Sequence, residues 1–160
     1  MRISDDFELY PAWSRNKELI LDARLGFYPP SVNEMYRFTK YNHMYKTKKA
    51  SETQDRICQI FEVEKTPSEE GKNVGWKGAV SVEVVFYLPW RRRFDVDNHL
   101  KALLDCLMAA KVIEDDSQTV RLAAEKRKGD TETRIKVWSK ERGGKSSGKP
   151  QKNDNGDELW

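Results

Sequence analysis

The sequence predicts a single α+β domain in which the elements follow in the order β-α-β-α-β-β. Apolar residues alternate with polar residues in four segments, which is typical of strands, and recur at helical spacing in two others. The length of 160 residues is that of one compact domain with its own core. We assign residues 18–139 to this domain, residues 1–17 to an irregular segment and residues 140–160 to a disordered tail.

The first half of the domain contains one strand and one helix. Residues 18–27 alternate between polar and apolar side chains, which predicts a strand, and Pro29 cannot continue its ladder. A helix is predicted over residues 50–61, because the apolar residues there fall at helical spacing and Pro67 and Gly71 stop it.

The middle of the chain contains the clearest strand and the clearest helix. Residues 79–88 are rich in β-branched side chains with one apolar face, which predicts a central strand. A helix follows, with Asp97 or Asn98 placed to cap its start. Its apolar stripe consists of Leu100, Leu103, Leu104, Leu107 and Met108.

Two further alternating segments lie at residues 119–126 and 131–138. They surround Lys128-Gly129-Asp130, a turn signal that predicts a terminal hairpin. Beyond residue 140 no apolar residue occurs before Leu159, so the tail cannot offset the entropy of ordering its backbone.

The composition excludes several classes of protein. Hydrophobic residues make up 38% of the chain, too many for a wholly disordered protein. No apolar run reaches the roughly 18 residues of a membrane-spanning helix, and the acidic start lacks a signal sequence, so we expect a cytoplasmic protein without membrane association. Cys58 and Cys106 lack metal-binding spacing, which argues against zinc and redox chemistry. A net charge of +3 permits nucleic-acid binding but does not argue for it.

The densest cluster of chemically reactive side chains lies at residues 91–101, between the central strand and the following helix. If Asp95 and Asp97 are still extended, their carboxylates lie on one side of the chain and together bind a divalent cation. Mg²⁺ suits such a pair because it prefers oxygen ligands and usually binds one or two carboxylates together with substrate phosphates. A second acidic cluster at residues 114–116 reaches Asp95 only if the next strand folds back beside the Asp95 strand.

Two interpretations of Lys101 are open. It lies four residues after Asp97 and four before Asp105, so all three share one helical face. Spacing favours a solvated ion-pair ladder, whereas a catalytic role would have the ammonium stabilise a phosphate or the transition state. His99 is interpreted as a partly exposed surface residue rather than a ligand.

Basic residues on both sides of the central strand point to a polyanion. Arginines beside paired carboxylates make sense in a metal site when they neutralise substrate phosphates. Trp90 and Phe94 either stack on unpaired bases or pack against the domain, and packing is the commoner role at a strand end. The candidate DNA contacts are Arg91, Arg92, Arg93, Lys46, Lys48 and Lys49.

Together these residues resemble the RusA family of Holliday-junction resolvases, which is common in phages and prophages. The resemblance runs from about residue 27 to residue 137. Its signature is Asp95-Val-Asp97-Asn98-x-x-Lys101, followed by Asp105 and then by Asp115-Asp116-Ser117-Gln118. The segment Tyr28-Pro-Pro-Ser-Val-Asn33 is similar to the N-terminal loop motif of the family. This combination is far more specific than an Asp-x-Asp pair alone.

The resemblance implies a Mg²⁺-dependent crossover junction endodeoxyribonuclease of DNA recombination and repair. Such an enzyme acts as a homodimer that makes paired, symmetric nicks in a four-way DNA junction, and its domain has a mixed sheet packed by two helices. The arginines before the motif match DNA-contacting positions, although Phe94 stands where a basic residue is often found.

The resemblance also implies roles for the individual residues. Asp95, Asp97 and Asp116 match the catalytic, metal-binding carboxylates. Lys101 matches the essential lysine, which reverses the interpretation of this residue as part of a ladder. Supporting roles fall to Asn98, Asp105 and Asp115.

Three other functions are compatible with parts of this pattern. A phosphatase of the haloacid dehalogenase type also uses Asp-x-Asp, but places it on the first strand of a parallel sheet with more chain after it. A non-catalytic junction-binding module would not need the full set of carboxylates with Lys101. A nuclease for other branched DNA, such as flaps or forks, is the alternative that stays open.

Overall fold

The computed structural model describes residues 18–139, 151–152 and 158–159. In chain order the elements are β1 (Glu18–Leu25), α1 (Val32–Met35), β2 (Tyr36–Phe38), β3 (Met44–Lys46), α2 (Lys48–Glu64), β4 (Val80–Leu88), α3 (Val96–Ala109), a 3₁₀ turn (Asp116–Gln118), β5 (Thr119–Lys128), β6 (Glu132–Ser139), β7 (Gln151–Lys152) and β8 (Glu158–Leu159). The predicted α+β class is confirmed.

Four of the described strands form a mixed main sheet in the order β1-β6-β4-β5. β6 pairs antiparallel with both β1 and β4, whereas β4 and β5 are parallel and joined through α3. β4 is an interior strand, as predicted, and every residue of Val80–Leu88 is buried. The mixed sheet is therefore confirmed as well.

The predicted terminal hairpin of residues 119–138 is wrong. β5 and β6 both pair with β4 and lie on opposite sides of it. The turn at residues 128–130 crosses the end of β4, where the Gly129 N–H donates to the Leu88 carbonyl at 3.0 Å. A Cβ on Gly129 would lie 3.0 Å from the Tyr87 ring, so a glycine suits this crossing. The turn signal was real, but it joins strands that are not neighbours.

One face of the main sheet carries the core. α2 and α3 cover this face, and their apolar stripes meet the alternate residues of β4 that the sequence placed together. The side chains of this core include Phe61, Phe86, Leu103, Leu107 and Ile135, all of them fully buried. Because β4 and α3 both pack in this core, the segment that connects them is held in place at both ends.

The segment between β1 and α2 was not predicted to contain strands. β2 and β3 form a separate two-stranded antiparallel sheet after the short helix α1, and Thr47 then caps α2 by accepting from the Ala50 N–H. Strands of three residues are too short for a periodicity signal, which explains the omission.

Both predicted terminal segments fall mostly outside the described residues. Residues 1–17 are not described at all, and of the tail only the two-residue ladder of β7 with β8 is described. In the part of the chain that is described, no helix is long and apolar enough to cross a membrane.

Candidate active site

Asp95 and Asp97 flank the first residue of α3. Asp95 is extended, with φ −91° and ψ 106°, and occupies the N-cap position, while Asp97 lies in the first helical turn. The helix thus begins before Asp97 and Asn98, the two residues predicted to cap it. The same-side placement of the two carboxylates was predicted only if both residues are extended. It does not apply, because Asp97 is already helical.

Both carboxylates are exposed and available to a cation. The Asp95 side chain does not cap α3; it accepts from Asn98 Nδ2 at 3.4 Å. Within the described ranges, neither carboxylate forms a salt bridge. Exposed carboxylate oxygens are hard donors of the kind that Mg²⁺ prefers, so the chemistry of each side chain fits the ion.

Lys101 continues the same face of α3 one turn further on. Its Nζ lies 3.6 Å from Asp105 Oδ2, so the predicted shared face is confirmed. The Lys101 side chain is 51% exposed, which leaves its ammonium accessible to an anion from solvent despite this ion pair. A solvated pair of this kind contributes only tenths of a kcal/mol to stability.

Asp116 lies at the other end of α3. Its backbone N–H donates to Met108 Sδ at 3.2 Å. At about 1.5 Å per residue, α3 rises about 16 Å between Asp97 and Met108. Within one chain, therefore, Asp116 does not join Asp95 and Asp97. In the described residues, no group of three or more acidic, His or Cys side chains is placed to hold a metal.

The carboxylates around Asp116 influence one another. The side-chain hydrogen bond and the charge of Asp115, together with the charge of Asp105, raise the pKa of Asp116 above its usual value. Asp115 accepts from the Ser117 N–H, which lowers its own pKa. Because these exposed carboxylates repel one another, a nearby positive charge would stabilise their ionised forms.

Gln118 holds the acidic turn against the sheet. Its Oε1 accepts from the N–H groups of Glu114 and Asp115 at 2.8 Å each. Its Nε2 donates to the carbonyls of Trp76 and Gly78 at 2.7 and 2.8 Å. The sequence showed Gln118 only as part of the family motif and missed this positioning role. Its signal was the capping box formed with Asp115, an acceptor followed three residues later by Gln.

The arginine segment before α3 is anchored by Phe94. Phe94 is only 5% exposed and stacks on His99 with ring centroids 4.1 Å apart, so it packs in the domain and does not meet DNA bases. His99 Nδ1 donates to the Pro29 carbonyl at 2.7 Å, a structural role.

Arg92 lies over the rings of Tyr28 and Phe94. Trp90, in contrast, is 62% exposed.

The structure brings together only some of the predicted basic residues. Arg92 and Lys49 line one groove of about 490 Å³, together with Arg37, which the sequence interpretation missed. Arg91 and Arg92 line a second depression with the lysines of β5. Arg93 is exposed and lines neither. Lys46 donates to Gln54 and Lys48 lies 3.9 Å from Glu52, and neither lysine lines these grooves.

Exposed carboxylates that directly follow an arginine segment lining two grooves are typical of sites that act on a polyanion with the help of a cation. A family model of the endodeoxyribonuclease RusA matches residues 27–138. The crossover junction endodeoxyribonuclease rusA of Enterobacteria phage HK97 is 33% identical over 91 residues, which are 57% of this chain and 70% of that protein. The chain belongs to the RusA family of endodeoxyribonucleases. The predicted family and the predicted enzyme class are confirmed.

Proposed function

We propose that this protein resolves four-way DNA junctions in recombination and repair, as a homodimer that nicks two opposed strands. The observation that carries the proposal is the exposed pair Asp95 and Asp97 beside Arg92 and Lys101, in a domain of the RusA family. A four-way junction has approximate twofold symmetry, and a symmetric dimer presents two equal sites to opposed strands. The phage relative, named a crossover junction endodeoxyribonuclease, supports this substrate.

Asp95, Asp97 and Asp116 are the residues that would hold Mg²⁺. When bound, the ion would activate water and neutralise charge on the scissile phosphate. The carboxylates fix the position of the cation, and Asn98 keeps the Asp95 side chain oriented through their hydrogen bond. Asp105 and Asp115 support the site by orienting Lys101 and by shaping the turn of Asp116.

Lys101 and the arginines act on the DNA itself. The Lys101 ammonium lies one turn beyond Asp97, where it can stabilise the negative charge that develops on the phosphate during cleavage. Arg92, placed over Tyr28 and Phe94, would bind a neighbouring phosphate and position the strand.

A second copy of the chain would complete the site. Asp116 lies about three turns of α3 away from Asp97, so one protomer does not bring all three carboxylates together. We propose that each site combines Asp95 and Asp97 of one copy with Asp116 of the other. This arrangement makes the dimer a requirement for metal binding and for cutting.

Cleavage of a strand-labelled four-way junction tests the proposal. We expect symmetric nicks with Mg²⁺, none with EDTA, and none on linear duplex of the same sequence. The variant Asp97→Asn should lose cleavage and keep junction affinity, because it removes a cation ligand and no phosphate contact. Asp130→Asn, an exposed carboxylate in the β5–β6 turn, is the matched control and should cut normally.

Other outcomes of the same assay would contradict the proposal. Nicks chiefly on flaps or forks would change the substrate class. Tight junction binding without cleavage under any divalent metal would indicate a non-catalytic binding module. Equal loss of cleavage and binding in a folded Asp97→Asn protein would contradict the division of labour between carboxylates and basic residues.

A further inference from the structure

The β2–β3 hairpin presents large apolar side chains to solvent. Phe38 is 65% exposed, Tyr41 73%, Met44 61% and Tyr45 49%. Phe38 pairs with Met44 across the hairpin, and Tyr41 lies in the turn between the strands. A cluster of exposed apolar side chains on one short element marks an interaction surface.

The hairpin is well defined rather than loose. The Thr39 N–H donates to the His43 carbonyl at 2.8 Å, and the Asn42 N–H donates to the Thr39 carbonyl at 2.9 Å. Asn42 has a φ of 62°, the left-handed conformation that asparagine tolerates in tight turns. These bonds fix the backbone from which the exposed aromatic side chains project.

The charge of this segment identifies the kind of partner. Residues 36–50 contain Arg37, Lys40 and further lysines but no acidic residue. Lys40 Nζ lies 5.0 Å from the centroid of the Tyr41 ring, so positive charge and aromatic surface alternate along the hairpin. Phosphates with exposed bases complement this combination, whereas the same hairpin of a second copy would bring like charges together.

The base of the hairpin is fixed beside the candidate active site. Met35, Ala50 and Ala102 form a small buried cluster, and Ala102 follows Lys101 on α3. The groove lined by Arg37, Lys49 and Arg92 begins at this base and reaches the segment that leads into Asp95. Glu34 also lines this groove, but the three basic residues outnumber it, so a strand held at the hairpin has a net positive path toward the carboxylates.

We propose that Phe38 and Tyr41 stack on bases left unpaired at the branch point of the DNA, while the groove binds the phosphates of the same strand. The inference rests on the proposed junction-cleaving function and adds the element that distinguishes branched from linear DNA. A duplex keeps its bases stacked and offers none to the hairpin, whereas opening a base at a branch costs less.

The test compares junction and duplex affinities in EDTA, where no cleavage occurs. The double variant Phe38→Ser with Tyr41→Ser should bind the junction about a hundredfold more weakly, since base–aromatic stacking is worth roughly tenfold per ring and two rings are lost. Affinity for duplex should not change. A 2-aminopurine at the branch point should change its emission on binding the wild type and not on binding the double variant.

Two control variants separate stacking from other effects. Tyr41→Phe keeps the ring and loses the hydroxyl, so it should bind as the wild type does. Val63→Ser removes an apolar side chain that is 81% exposed on α2 and should have no effect. A loss with Tyr41→Phe equal to that of the double variant would overturn stacking in favour of a hydroxyl–phosphate bond.

Three further results would overturn the inference. Equal loss of junction and duplex affinity would show a general DNA contact, and an unchanged junction affinity would show no contact. A change from dimer to monomer in sedimentation of the double variant would show that the hairpin binds a second copy. Failure of the proposed function itself is distinguishable, because the wild type would then show no preference for junctions and no Mg²⁺-dependent nicks.

Discussion

Lys101 has two possible roles, which one substitution separates. In Lys101→Met we expect unfolding stability to change by less than about 0.5 kcal/mol, because the pair with Asp105 is largely solvated. Cleavage should fall by about 10²–10³, the cost of losing one transition-state charge contact. Urea unfolding and single-turnover cleavage measure the two effects.

The matched control for Lys101 is Lys77→Met. Lys77 also pairs with a carboxylate, Glu70 at 3.1 Å, but lies before β4 and outside the candidate site. The Lys77→Met variant should therefore unfold and cleave nearly as the wild type does. Normal cleavage by a folded Lys101→Met protein would return Lys101 to the ion-pair interpretation.

Gln118 is expected to act as a positioning residue. Gln118→Ala removes four hydrogen bonds and leaves the partly buried carbonyls of Trp76 and Gly78 without this donor, so stability should fall by about 1–3 kcal/mol. Cleavage should fall through misplacement of Asp116, and added Mg²⁺ should restore part of it. Denaturant unfolding and a Mg²⁺ titration of cleavage check both effects, with the exposed Gln59→Ala as control.

At the scale of elements, one close contact joins the α3–β5 connection to the segment before β4. Trp76 N–H donates to the Val112 carbonyl at 3.0 Å, and Gly75 N–H donates to Glu114. A Cβ on Gly75 would lie 2.4 Å from the backbone carbon of Ile113, which the chain cannot accommodate without moving. The contact thus fixes where the acidic turn leaves α3.

Gly75→Ala is therefore expected to destabilise the protein by about 1–3 kcal/mol, the cost of overpacking against a backbone. Gly26→Ala is the control, because no atom lies within 4 Å of its added Cβ, and it should be neutral or slightly stabilising. Thermal unfolding measures both. Equal melting temperatures for the two variants would show that this contact is not rigid.

At the scale of the whole molecule, a mixing experiment tests whether two chains share each site. Asp97→Asn and Asp116→Asn are each expected to be inactive alone. In a mixed dimer with shared sites, one site carries both changes and the other carries neither, so nicking of one strand should return. A site contained within one chain would stay inactive in the mixture. Gel analysis of the strand-labelled junction separates single nicks from resolution.

The sequence by itself determined the elements that depend on local periodicity. The apolar stripe of α3 and the alternation of β4 are read within a dozen residues, and both elements form where they were predicted. The cluster of acidic and basic residues at 91–101 was also predicted from the sequence, because it is a polar run between the apolar pattern of β4 and that of α3.

Only the tertiary structure decided which elements are neighbours. β5 pairs with β4 rather than with β6, and Ser81 and Glu83 are buried on β4 although alternation alone would place them in solvent. Arg121, from β5, reaches both of these residues. The position of Asp116 at the far end of α3 likewise follows from the parallel crossover. Strand pairing joins residues far apart in the chain, and periodicity, which is local, carries no record of the partner.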